Sequence, residues 1–138
     1  MSLTVTYSER APAVYGPYSQ AITVGDLIYT SGQIPLDPVS MKVVAGGIEE
    51  QAAQTLENLR SVLQTAGSDL DRVVKTTVFL VDLRDFPGLN EVYARAFGDH
   101  RPARSTVGVA SLPRGVLVEI EAIALRRLVF PGVPLATR

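Results

Sequence analysis

The sequence predicts a two-layer α+β sandwich: a mixed β-sheet of about six strands with two helices on one face. Three observations carry this expectation. Only two segments, 48–66 and 86–97, repeat apolar residues at helical spacing. The other apolar segments are short, alternating or β-branched, which gives the order β-β-β-α-β-α-β-β. Two helices cannot cover both faces of such a sheet, so both belong on one face and the other is left for a further copy of the chain.

Residues 3–7 alternate and read as a short strand. Residues 11–18 hold Pro12, Gly16 and Pro17 and cannot form regular structure. Residues 20–24 and 27–31 are apolar stretches joined by Gly25-Asp26, a hairpin signal. A connecting loop, 36–47, closes on Gly46-Gly47. The first helix puts Ile48, Ala52, Leu56, Leu59, Val62 and Leu63 on one stripe, and Gly67 sits where a left-handed cap belongs. Residues 73–81 are β-branched and apolar and predict a central strand. Asp85 is expected to cap the second helix, with Phe86, Leu89, Val92, Tyr93 and Phe97 on its buried stripe and Pro87 in its first turn. Residues 104–110 and 116–127 are the last strands. The tail 128–138, with Pro131, Gly132 and Pro134, is expected to pack loosely.

At 138 residues the chain holds one domain, 1–138, with its core within 3–127. It has no cysteine, which excludes disulfides, thiolate nucleophiles and Cys-type metal sites. A single histidine, His100, excludes a multi-His metal centre within the chain, and no metal is expected. The net charge of −1 disfavours a nucleic-acid reader. No apolar run approaches a membrane span of about 20 residues, so a cytoplasmic protein without membrane contact is expected. Phosphate-binding glycine motifs are missing.

The last strand has an unusual pattern. Val118, Ile120, Ala122 and Ala124 point one way, while Leu117, Glu119, Glu121, Ile123 and Leu125 point the other. Two carboxylates thus share a face with large apolar side chains, where a half-buried carboxylate can act as acid or base. Arg104, at the start of the preceding strand, is either a solvated residue or a bidentate carboxylate clamp. Tyr18, Ser31-Gly32 and Asn90 each have a plain reading as loop aromatic, turn and solvent-facing amide.

Taken together and in order, these segments resemble the RidA family, also called YjgF, of small enamine/imine deaminases. The matching stretches are Ala11-Pro12, Gly16-Pro17-Tyr18-Ser19-Gln20-Ala21, Thr30-Ser31-Gly32-Gln33-Ile34-Pro35 and Gln51 to Leu59. They continue through Val74 to Leu80, Asp82-Leu83, Asn90-Glu91-Val92-Tyr93, Pro102-Ala103-Arg104-Ser105 and Glu119-Ile120-Glu121-Ala122-Ile123-Ala124.

The resemblance implies a chorismate-mutase-like fold and a homotrimer with ligand clefts between subunits. It implies Arg104, Glu119 and Tyr18 as catalytic residues, and Arg104, Tyr18, Ser31, Gly32, Asn90 and Thr106 as the substrate-binding set. The expected reaction is hydrolysis of a short 2-aminoacrylate-type enamine, through its imine, to a 2-keto acid and ammonia, without a cofactor. Arg104 would hold the carboxylate and Glu119 the attacking water. A ligand-sensing or partner-binding trimer using the same cleft is the rival reading, and ribonuclease activity is the weakest. Thr106 stands where many relatives carry cysteine, and Arg101 where they often carry an aromatic residue.

Overall fold

In the computed structural model, β1 (Leu3–Thr6), β2 (Ala21–Val24), β3 (Leu27–Thr30), β4 (Val73–Leu80), β5 (Ala103–Gly108) and β6 (Val118–Leu125) form one sheet in the order β1-β2-β3-β6-β4-β5. The structure describes residues 2–128, so the expectation for the tail past Leu128 lies outside the described residues. Among the described residues, only β4 and β5 pair in parallel. β6 is antiparallel to both its neighbours, so β3 and β4 run the same way with β6 between them.

That topology explains why both helices share a face. α1 (Ile48–Thr65) connects β3 to β4, and α2 (Phe86–Phe97) connects β4 to β5. Both crossovers step in the same direction across the sheet. Crossovers of one hand taken in one direction land on one side. Leu56, Leu59, Val62 and Leu63 of α1 and Leu89, Val92, Tyr93 and Phe97 of α2 accordingly form one core with Ile28, Val78, Leu80, Val118, Ile120, Ala122 and Ala124 of the sheet. The mixed two-layer fold is the one expected.

Helix ends follow local chemistry. Glu50 reaches back to accept from the Gly47 N–H at 2.9 Å, closing the first turn of α1. At the other end Gly67 adopts φ +91°; its N–H donates to Gln64 O (3.1 Å), and that of Ser68 to Leu63 O (2.8 Å). This pair of bonds satisfies the last carbonyls, as the glycine predicted. At α2 the expectation fails. Asp85 makes no side-chain cap, because a 3₁₀ turn, Leu83–Asp85, already holds it in helical geometry; Asp82 caps that turn instead, accepting from the Arg84 N–H at 2.9 Å. Phe86 is not buried either, since it sits at the very start of α2, beyond the reach of the core.

Three buried amides tie the irregular segments down, and the apolar pattern does not reveal them. Gln20 donates to Ser8 O (3.2 Å) and Pro12 O (3.0 Å). Gln51 accepts from the Leu117 N–H (2.8 Å). Asn58, 1% exposed, donates to Ile34 O (3.0 Å) and Leu36 O (2.9 Å). Asn58→Ala leaves Leu36 O unpaired, whereas Ile34 O keeps the Leu36 N–H (2.8 Å); it is expected to cost about 1–3 kcal/mol, read as a lowered urea midpoint at fixed protein concentration.

Candidate active site

One group of functional residues is assembled where the chain leaves β3. Gln33 and Ile120 exchange backbone hydrogen bonds (2.8 and 3.1 Å), which lays Gly32 against Glu119 of β6. A Cβ at position 32 would lie 2.7 Å from Glu119 Cδ and 2.9 Å from Cγ, and closer still to Oε2. Glycine is therefore required for the carboxyl to lie over the backbone. Ser31 binds the neighbouring loop twice: its hydroxyl donates to Ser19 O (2.6 Å) and its N–H to Gln20 O (2.9 Å). Tyr18 precedes Ser19, with its ring against Gly16 and most of its surface exposed. Glu119 is half-buried. Burial pushes its carboxyl above the usual range, and Glu121 on the same face adds to the shift.

A second group sits on the β5 edge. The pairing register sets Arg104 beside Thr76 and Thr106 beside Val78. Thr76 and Val78 are buried under the helices, so Arg104 and Thr106 face the helical side. The Arg104 Cζ lies 5.3 Å from the Phe86 ring centroid and 4.7 Å from that of Tyr93. The Tyr93 hydroxyl is hydrogen-bonded to Thr76 Oγ1 (2.7 Å), and burial pushes its ionisation up. Among the described residues, no hydrogen-bond acceptor or carboxylate engages the Arg104 guanidinium, and Thr106 Oγ1 is buried without a partner. Asn90 joins Tyr93, Arg101 and Arg104 around a cavity of about 280 Å³. A groove of about 460 Å³ between α1 and α2 contains none of the predicted residues.

The seven predicted residues thus fall into two sets. Tyr18, Ser31, Gly32 and Glu119 form one; Asn90, Arg104 and Thr106 form the other. Glu119 pairs in register with Phe79, between inward-facing Val78 and Leu80, so it faces away from the helices. Arg104 faces toward them. The structure does not bring the two sets together within one chain. Phe86, Tyr93 and Thr76 beside Arg104 escaped the sequence reading, because only the β4–β5 register reveals that Thr76 and Arg104 are neighbours. Elsewhere, His100 Nε2 is hydrogen-bonded to Val73 O (2.7 Å), and Lys75 Nζ donates to Ser105 Oγ (2.9 Å). No three His, Cys, Asp or Glu side chains cluster as a metal site among the described residues.

Fold and site together define a small α+β protein with a half-buried carboxylate on one sheet face and an arginine held against aromatic rings on the other. Residues 8–126 match the model of the family described as Endoribonuclease L-PSP, and the chain belongs to this family, also called RidA or YjgF. It is 52% identical over 122 residues to the 2-iminobutanoate/2-iminopropanoate deaminase of Mus musculus, covering 88% of this chain and 90% of that one. It is 49% identical to a RutC family protein of Pyrococcus abyssi, covering 91% of this chain and 99% of the relative. Among solved structures, Escherichia coli TdcF with bound serine superposes with a TM-score of 0.86 at 42% identity, covering 90% of this chain and 99% of that one.

Two outcomes follow from the Gly32–Glu119 contact. Gly32→Ala is expected to destabilise the protein by about 1–3 kcal/mol, and most of this loss should vanish in a Glu119→Ala background. A double-mutant cycle of urea midpoints measures the coupling. The second concerns pH. Because the folded-state pKa of Glu119 is raised, the folded chain holds this proton more tightly than the unfolded chain. Ionised Glu119 therefore costs stability once pH climbs above the ordinary glutamate range, and below that range the cost is gone. Glu119→Gln should raise the unfolding temperature at neutral pH, with the gain closing as pH falls toward about 4.

Proposed function

We propose that the protein hydrolyses short 2-imino acids, formed from 2-aminoacrylate-type enamines, to 2-keto acids and ammonia. The observation that carries this reading is a pair of unspent groups, the Arg104 cation without a protein anion and the raised carboxyl of Glu119 over Gly32. The deaminase names of the mouse and human relatives, 52% and 48% identical, support it. So does the serine bound by TdcF, a ligand with the carboxylate such a clamp would hold.

Arg104 offers paired N–H donors to the substrate carboxylate. The imine carbon is already electrophilic, so the chemistry requires only a positioned water and proton transfers, and no cofactor is called on. Glu119 takes a proton from water as its oxygen bonds to C2, giving a carbinolamine. That proton passes to the nitrogen, which has taken the C=N electron pair, and the hydroxyl proton follows it through Glu119 as the C–N bond breaks, ammonia leaves and the C2 carbonyl forms. Tyr18 lends its hydroxyl to the water or the nitrogen, Ser31 and Gly32 line the approach, and Asn90 and Thr106 complete the carboxylate side. The substrate side chain occupies the remaining space.

Since Arg104 and Glu119 face opposite ways on one sheet, a working cleft takes them from two copies of the chain. The open face supports this. Leu3 and Val5 are 66% and 64% exposed, and Tyr29 and Val107 lie on the same face, 43% and 41% exposed. We take the assembly as the cyclic homotrimer that the family resemblance implies. RNA cleavage, named in the family description, gains no support from a net charge of −1 or from a lone histidine whose Nε2 is already engaged. The cytoplasm remains the proposed location; no helix among the described residues is long and apolar enough to cross a membrane.

The test is keto-acid release when the protein is added to a serine/threonine dehydratase reaction. The wild type should accelerate hydrolysis beyond the spontaneous rate, and Arg104→Ala and Glu119→Gln should each lose about a hundredfold or more. Equal amounts of the two variants, unfolded and refolded together, should regain about one quarter of wild-type activity, the fraction of clefts receiving both intact residues. A mixture as inactive as its parts refutes the shared cleft; no acceleration by the wild type refutes the deaminase reading.

A further inference from the structure

Arg104 is a long, flexible cation that must present its N–H edge in a fixed plane for a carboxylate to accept two bonds at once. A neighbouring carboxylate could fix such a side chain, but it would also consume its donors. Here the guanidinium lies against two aromatic rings. An aromatic face attracts the positive charge through its quadrupole and accepts none of the five N–H hydrogens.

The two rings are not equivalent. Phe86 is exposed at the start of α2 and has no anchoring bond, since its ring carries no polar atom. Tyr93 is 7% exposed, its ring packs on Phe97 with centroids 4.4 Å apart, and its hydroxyl is hydrogen-bonded to Thr76 Oγ1 at 2.7 Å. Thr76 is the β4 residue in direct register with Arg104 on β5. The sheet register and the Thr76–Tyr93 bond therefore deliver the ring face to the guanidinium.

We propose that Tyr93, held by Thr76, is a positioning residue that keeps the Arg104 guanidinium oriented with its donors free for a ligand carboxylate. This rests on the reading of Arg104 as the carboxylate clamp. The Thr76 hydroxyl acts through Tyr93, and Tyr93 acts through Arg104; neither is a catalytic residue.

The experiment is calorimetric affinity for 2-oxobutanoate, beside the NMR relaxation of the Arg104 Nε–H group, in the intact protein and its variants. Tyr93→Leu removes the ring face and should weaken binding about three- to thirtyfold. Tyr93→Phe and Thr76→Val keep the ring but free it, and should each weaken binding about two- to fivefold while the Arg104 Nε–H becomes more mobile. Leu63→Ala destabilises the core from α1, away from Arg104, and should leave affinity and Nε–H mobility unchanged. If Tyr93→Leu does not fold, Tyr93→Phe and Thr76→Val decide. Normal affinity and an equally rigid Nε–H in those variants overturn the proposal, as does an equal loss in Leu63→Ala. Arg104→Ala separates the two levels. If it loses binding while the Tyr93 and Thr76 variants keep it, only the positioning role fails. If it binds 2-oxobutanoate like the wild type, the clamp itself is wrong.

Discussion

The last strand in the sequence, β6, is inserted between β3 and β4, and the rest of the molecule is arranged around that insertion. β3 and β4 are joined through α1 but are held apart by a strand that arrives some forty residues after β4 has been laid down. The period of two along β6 then divides its labour. Val118, Ile120, Ala122 and Ala124 are buried against the helices, and Glu119, Glu121, Ile123 and Leu125 are left on the open face at intermediate exposure. A slip of one residue would bury two carboxylates in the core and expose four apolar side chains. That penalty, several kcal/mol per unpaired buried charge, fixes the register. The register in turn brings Glu119 onto Gly32 and keeps the Gln33–Ile120 bonds in line.

The same alternation made the fold legible from sequence. The β6 pattern, the two helical stripes and the hairpin at Gly25-Asp26 are local signals, and each corresponds to an observed element within a few residues. The caps were legible only where backbone freedom was at stake. Gly67 announced its own left-handed turn, whereas Asp85 misled because the 3₁₀ turn before it had no periodicity to read. Buried polar residues were the least visible. Gln20, Gln51 and Asn58 resemble surface amides in sequence, and their role depends on backbone groups distant along the chain.

The candidate site was legible as a set of residues and not as a geometry. Resemblance to a family supplied Arg104, Glu119, Tyr18, Gly32 and their neighbours in one cleft. Alternation along single strands assigns faces only within each strand. Relating the face of Arg104 to that of Glu119 requires the pairing of β5 with β4 and of β4 with β6, information spread over three strands. Phe86 and Tyr93 were read as one buried stripe for the same reason. Helical spacing puts them on one side of α2, but only the placement of the β5 edge shows that both meet the Arg104 cation, Tyr93 from within the core and Phe86 from the exposed first turn.

Opposed faces also solve an electrostatic problem. An ion pair between the arginine and a carboxylate of the same chain would occupy the donors and lower the carboxyl's pKa. With the sheet between them, neither can quench the other. Arg104 keeps its hydrogen-bond donors unspent against aromatic faces, and Glu119 stays above the usual carboxylate range beside Glu121. Both conditions run against the stability of the isolated chain, as does the bare apolar face around Tyr29 and Val107. In the assembly proposed here one contact answers all three: the apolar face is covered, and cation and base meet across a cleft wide enough for a substrate to lie between them. The ligand then becomes the bridge that the protein withholds from its own side chains.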